Sequence, residues 1–439
     1  MTREVLVFSH STSNRLQYII DLLSRYFGLP FKLIFDEERY LDTPSLIKIN
    51  YSYHRLQPGE IFIHSHVLLF ETTVRPVKID CFEHNNYKAF FKTEGEAGFD
   101  IFAATFYLIS RYEEYLPYEK DAYGRYGHVN SLAYKENFLH LPLVNIWFED
   151  FRNLLKEKDP QFEDPARAFS FQPTYDIDMA WVYRNKGLKR NAGSILLLLL
   201  KLKFSEALCR YRVIKKKMDD PYDAYAWMDQ LHSVTGIKPV YFFLMAMEQG
   251  PYDKNIDVHN HELVQLIKYI TAKYATGLHP SWQSGDQPVL IAKEKNELEK
   301  ICGQKILNSR QHYIRFHLPF TYRHLMDIGI VHEYSMGYGS INGFRASFTD
   351  AYFWFDIKED KQSALLIHPF CFMDANSFYE QNMSPEKAFE ELMHYYMAVK
   401  SVNGRLITIW HNSFLGSSGE FKGWKEVYEK FVKTITVPG

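Results

Sequence analysis

From residue 167 onward, short apolar runs alternate with amphipathic stretches, and this alternation limits the available folds more than any other feature. Candidate strands are 168–171, 239–244, 274–279, 306–313, 329–334, 364–370 and 405–411, seven in all. Candidate helices fall at 261–273, 293–307, 321–327, 385–402 and 423–434. Strands that recur with helices between them predict a parallel α/β barrel or a doubly wound sheet. In barrels the chemistry gathers at the C-terminal ends of the strands.

The polar residues that stand out sit at those ends. Pro173-Thr174-Tyr175-Asp176-Ile177-Asp178 closes the first run with two carboxylates one residue apart. One carboxylate can hold a divalent cation while the other takes a proton from water. The plainer reading is a helix N-cap, where aspartate is also favoured. His279 ends the third run, Arg310 and His312 lie in the fourth, and His368 and His411 lie at the last two. Each taken singly could be structural: a satisfied buried histidine, or an arginine in an ordinary ion pair. His368, inside an apolar strand, reads as structural.

Residues 1–166 read as a smaller α/β domain. Strands are expected at 5–8, 31–35, 47–51 and 60–63, and a helix at 13–27 stopped by Gly28-Leu29-Pro30. An aromatic amphipathic helix is expected over 99–115, ended by Pro117, followed by a polar turn at 121–126. The Arg111/Glu113/Glu114 cluster reads as a solvated or interdomain face. Lys156 to Pro165, charged and marked by proline, is the expected linker to a second domain, 167–439.

Residues 184–217 interrupt the alternation with a basic, leucine-rich helical segment in which only Glu206 opposes the lysines and arginines. Such a segment can lie on an anionic membrane or cover a sheet with its leucines turned in. The second arrangement is expected, with weak or no binding to vesicles. Its longest apolar run, Ile195–Leu200, is far short of the ~20 residues of a membrane span.

Composition narrows the function classes. The net charge of -2 gives no reason to expect nucleic acid. Four scattered cysteines without C-x-x-C spacing indicate neither a disulfide framework nor a cysteine zinc site. The N-terminus reads as a first strand and not as a signal peptide, so the cytoplasm is the expected location. Aromatics reach 16%, enough to fill cores and also to stack on sugar rings.

In order along the chain, T-Y-D-I-D, K-P-V-Y-F-F-L, G-L-H-P-S, S-R-Q-H-Y and L-I-T-I-W-H resemble the polysaccharide deacetylase (NodB-type carbohydrate esterase) superfamily over about residues 167–415. That superfamily carries T-F-D-D, H-[ST]-x-x-H, R-x-x-Y and L-x-L-x-H motifs. More closely, the chain resembles a bacterial subgroup from surface-polysaccharide loci. That subgroup has an added N-terminal domain bearing the 99–115 motif, and shares Y-S-M-G-Y and G-F-R-A, here Gly343-Phe344-Arg345-Ala346.

The resemblance implies a deformed seven-stranded parallel (β/α) barrel and a metal-dependent hydrolase that removes acetyl groups from an N- or O-acetylated sugar. It implies Asp176 as base, Arg310 orienting it, and His411 as the acid for the leaving group. Asp178 and His279 would hold a divalent metal, zinc by the family pattern. Gln283 stands where the second motif histidine belongs, and His312 is the candidate replacement ligand. Trp282, Tyr313 and Arg345 are the candidate substrate contacts. Partners would be an acetylated carbohydrate and other members of a surface-polysaccharide pathway. Two alternatives stay open: a catalytically inactive carbohydrate-binding or assembly protein on the same barrel, and an amidohydrolase of small non-sugar amides.

Overall fold

The computed structural model describes residues 4–45, 47–163, 165–248 and 250–436. The expected linker therefore includes one position, 164, outside the described residues, and Lys156–Lys158 belong to the helix Leu143–Lys158.

The first sheet is small and parallel. Strands β1 (Val5–Ser9), β2 (Phe31–Ile34), β3 (Lys48–Ser52) and β4 (Ile61–His64) pair in the order β2-β1-β3-β4. The helix Asn14–Phe27 starts where Ser13 Oγ accepts from the Leu16 amide at 3.0 Å. It ends at Gly28, whose φ of 62° suits a residue without a Cβ. A two-stranded hairpin follows, β5 (Phe82–His84) and β6 (Tyr87–Ala89).

The helix expected over 99–115 is shorter and is not amphipathic. It runs Ile101–Ile109, is capped by Asp100, and every one of its residues is buried. Arg111, at φ 55°, breaks it from a 3-10 turn at Tyr112–Tyr115. A helix buried on every side has no face to give to water, and this one packs into a core shared with the second half of the chain.

Residues 170–411 build a separate nine-stranded sheet. Its strands are β7 (Ser170–Ile177), β8 (Val240–Leu244), β9 (Ala275–His279), β10 (Asn308–Ser309), β11 (His332–Glu333), β12 (Tyr352–Asp356), β13 (Lys361–Ile367), β14 (Phe372–Met373) and β15 (Arg405–His411). The order is β12-β13-β11-β10-β9-β8-β7-β15-β14. All seven expected strands are present, with β10 and β11 reduced to two residues each. Two more join at the ends: β14, parallel to β15, and β12, antiparallel to β13. Among the described residues no pairing joins β12 to β14, so hydrogen bonding does not close this sheet into a ring. After β13 the chain crosses to β14 and then forms β15, which pairs with β7 and brings the last motif beside the first: His411 is in register with Asp176.

The two halves meet through a buried ionic network. Arg345 donates to both oxygens of Glu114 at 2.8 and 2.6 Å. Arg111 donates to Glu114 at 2.7 Å and to Glu113 at 2.6 Å, and also to the Arg345 carbonyl. The cluster expected on a solvated or interdomain face is thus buried, in contact with Arg345 of the second half of the chain. Glu114 is held below the usual glutamate range: burial pushes it up, but the two guanidiniums outweigh burial.

The basic segment forms two helices, Leu188–Leu200 and Phe204–Ile214, and here the expected arrangement is overturned. Their shared seam buries Asn191, Ala207, Arg210 and Val213, while the leucines stay outside. Leu200 is 72% exposed, Leu202 74% and Phe204 60%. Five consecutive leucines surround a helix on all sides, and a single seam can cover only one of those sides. No helix in the described residues is long and apolar enough to cross a membrane.

Candidate active site

Four strand ends of the second sheet converge on a cavity of about 580 Å³. Asp176, Asp178, His279, His312 and His411 all line it. Asp176, the next-to-last residue of β7, accepts from Arg310 Nη1 at 2.9 Å. The same nitrogen reaches Thr174 Oγ1 at 2.6 Å, and Arg310 Nε donates to the Tyr334 carbonyl at 3.1 Å. The guanidinium is fully buried over the Phe242 ring, so it can neither leave nor be hydrated. It fixes the rotamer of Asp176.

Asp178 is the hub. Its Oδ1 lies 3.2 Å from His279 Nε2, and its Oδ2 lies 3.4 Å from His312 Nε2 and 3.6 Å from His411 Nε2. His279 Nδ1 sits 2.6 Å from the Arg310 carbonyl, which can only accept, so Nδ1 carries the proton. In the neutral ring Nε2 is then a lone pair facing a carboxylate oxygen, and Asp178 Oδ1 is an enclosed atom with no hydrogen-bond partner. Two acceptors that face one another call for a cation between them, either a proton on Nε2 or a metal ion.

The donor set fits a divalent metal. The ligand atoms of Asp178, His279 and His312 all lie within 4.8 Å of one another. Two ligands at ~2.0–2.2 Å in a tetrahedral shell lie about 3.3 Å apart. The Asp178–histidine separations are close to that spacing, 3.2 Å from Oδ1 to His279 and 3.4 Å from Oδ2 to His312, so each carboxylate oxygen faces one ring. One carboxylate and two imidazoles form a three-ligand set that leaves a position open, as catalytic zinc sites do. His312 Nδ1 lies 3.0 Å from Asp253 Oδ1, the carboxylate–histidine pairing that orients a ligating ring. Burial would push His312 down, yet Asp178, joined by Asp253, lifts it to about 9.

His411 has a partner of its own. Its Nδ1 lies 2.6 Å from Asp374 Oδ1, and its amide donates to Asp374 Oδ2 at 2.7 Å. Burial would lower His411, but Asp374 chiefly, with Asp178 and Asp176 adding to it, raises it to about 10. The ring therefore holds its proton.

Some expected residues lie elsewhere. Arg345 does not line the cavity: it is buried against Glu114, because only a guanidinium fork can satisfy that carboxylate in a dry interface. Trp282 is one layer back, stacked on Tyr252 at 4.1 Å, and Tyr252 lines the cavity in its place. Tyr313 does line it. His312 and Tyr313 reach the site from a 3-10 turn and not along a strand. In that turn Tyr313 (φ 58°) and Ile314 (φ 55°) are left-handed, which is costly for bulky or β-branched residues. Gln283 is absent from the lining. His368 lies outside it, stacked on Tyr334.

Four contributors lie outside the expected site residues: Asp374, Asp253, and Tyr123 with Arg125 of the polar turn at 121–126. Asp374 follows the apolar run Phe370–Met373, so the pattern that marks Asp176 would have found it. Arg125 donates to the Tyr313 carbonyl at 2.7 Å and pins the left-handed turn. The N-terminal half thus supplies part of the cavity wall.

Residues 5–160 match the model of a family described as a family of unknown function (DUF7033). No curated protein matches the chain. Solved structures similar to it include one from Mycobacterium smegmatis assigned as a polysaccharide deacetylase, with 13% identity, 63% of this chain and 87% of that chain covered, and a TM-score of 0.40. Another is the polysaccharide deacetylase Bc1974 from Bacillus cereus, with 9% identity, 62% and 89% covered, and a TM-score of 0.29. A third is BA3943 from Bacillus anthracis, titled a CE4 family pseudoenzyme, with 10% identity, 66% and 77% covered, and a TM-score of 0.30. Likenesses at this level decide neither activity nor substrate.

Proposed function

We propose that the chain is a metal-dependent deacetylase of the NodB type, acting on an N- or O-acetylated sugar of a bacterial surface glycan. The observation that carries the proposal is the Asp178–His279–His312 cluster, with a lone pair and an orphaned carboxylate oxygen turned toward each other. Those three side chains would hold the cation; zinc is the proposed ion, one of several that imidazole and carboxylate donors suit. When bound, it supplies Lewis acidity to the acetyl carbonyl and acidifies water.

The protein's own groups divide the proton work. Asp176, with one oxygen held by Arg310, keeps the other, Oδ2, turned to the site at 3.8 Å from His279 Nε2. It is placed to take a proton from water attacking the acetyl carbon. His411 holds a proton against Asp374 and can give it to the departing amine or hydroxyl of the sugar. Each turnover leaves Asp176 protonated and His411 neutral, so one proton must pass from the carboxyl to the imidazole, through solvent or the released acetic acid, before the next. The aromatic wall of Tyr123, Tyr252 and Tyr313 is suited to a sugar face.

Metal analysis together with release of acetate from acetylated amino sugars tests this reading. Asp178→Ala should lose metal and activity, whereas Asp176→Asn should keep metal and lose activity by at least about 100-fold. A second reading, a carbohydrate-binding protein without turnover, is favoured by Gln283 in the place of the second motif histidine. Tight sugar binding with retained metal and no acetate release would select it.

A further inference from the structure

We propose that the helical hairpin 188–214 is a docking element for an anionic lipid bilayer surface. The proposal does not depend on the deacetylase reading, since its observations lie outside the cavity. The hairpin is held at its root and along its own seam. Asp220 accepts amide hydrogens from Val182, Tyr183 and Arg184 at 2.8–2.9 Å, and Arg210 Nε donates to Asn191 at 2.9 Å across the seam. Away from the root, large apolar side chains face outward. Leu196 and Leu197 are 59% and 58% exposed and Leu208 48%, beside the still barer Leu200, Leu202 and Phe204 at the tip. Of the exposed large apolar side chains among the described residues, ten fall between Leu188 and Met218. A patch this concentrated on a soluble surface marks an interaction site.

Charge selects the occupant. Residues 188–217 carry nine lysines and arginines against the single Glu206. Lys201 and Lys203 alternate with Leu200, Leu202 and Phe204 at the tip, and Lys215–Lys217 close the second helix, all of them exposed. Leucines dipping below the headgroups while lysines stay at their level is the interfacial arrangement of an amphipathic segment on acidic lipid. A second copy of this chain is a poor occupant: a two-fold contact through the leucines would press two such cationic clusters together. The helices are too short to span, so the hairpin would lie at the surface. The segment that carries it runs between Met179 and Tyr222, and both residues line the cavity. Docking would therefore set the cavity mouth beside the membrane.

Flotation of the full chain with phosphatidylcholine vesicles, with and without phosphatidylglycerol, tests this. The expected result is binding to the mixed vesicles that weakens as salt rises. Leu200→Ser/Leu202→Ser/Phe204→Ser should weaken it by at least about tenfold, with an unchanged circular dichroism spectrum and metal content. Lys201→Glu/Lys203→Glu should weaken binding to the mixed vesicles only. Absence of binding, equal binding to both vesicle types, or a triple variant that binds like the parent would overturn the proposal. So would a lipid-free dimer in light scattering that the triple variant abolishes, which would assign the patch to self-association.

Discussion

Arg345→Met separates a structural arginine from a substrate-binding one. The substitution removes the fork that bonds both oxygens of Glu114 at 2.8 and 2.6 Å, and the bond to the Gly337 carbonyl at 3.0 Å. Removing one partner of a buried pair costs about 3–5 kcal/mol, because the other charge is left in a poor solvent. Arg111 still reaches Glu114 Oε1 at 2.7 Å, so the lower end, about 3 kcal/mol, is expected. Adding Glu114→Gln removes the stranded charge, and the double variant should be more stable than the sum of the singles by about 1–3 kcal/mol. Denaturant unfolding of the four proteins measures the cycle. The pair's contribution also has a pH signature. Glu114 is depressed in the folded state, so its stabilisation is present above the unfolded glutamate range and is lost as pH falls through the folded value. KM at a temperature where the variant is folded should stay unchanged. An Arg345→Met protein within about 0.5 kcal/mol of the parent, with a raised KM, would refute this account and return Arg345 to the substrate.

Asp253→Asn should weaken metal affinity by about 10–100-fold with the first ligands intact, as metal titration would show. Asp374→Asn should lower kcat while leaving metal content and KM unchanged, because it acts on His411 and not on the cation's ligands. Metal binding should release protons: His312 stands at about 9 without the cation and must be neutral to ligate. Calorimetry at neutral pH in buffers of different ionisation enthalpy should detect that release, and affinity should climb with pH up to about 9 and then level off.

The parts of the site that the sequence discloses share one pattern, an apolar run ended by an unexpected polar residue. Asp176, His279 and His411 follow it, and parallel strands bring their C-terminal ends to one side of the sheet. Asp374 obeys the same pattern but hides, because 364–370 reads as one strand. The backbone leaves the sheet after Ile367 and re-enters at Phe372 on the other side of β15. His312 reaches the cluster, but strand alternation is not the reason: β10 ends at Ser309, and a left-handed turn held by Arg125 carries the ring there. No local pattern could disclose that contact, since its two ends lie 188 residues apart. The leucine-rich hairpin failed for a different reason. Periodicity says which faces of a helix are apolar, while burial depends on whether the fold supplies a surface to cover them. Here the main neighbour of each helix among the described residues is the other, joined along a seam of Asn191, Ala207, Arg210 and Val213. The uncovered leucines are therefore a property of the assembly of elements and not of the segment, and something outside this chain must complete them if they are to leave water.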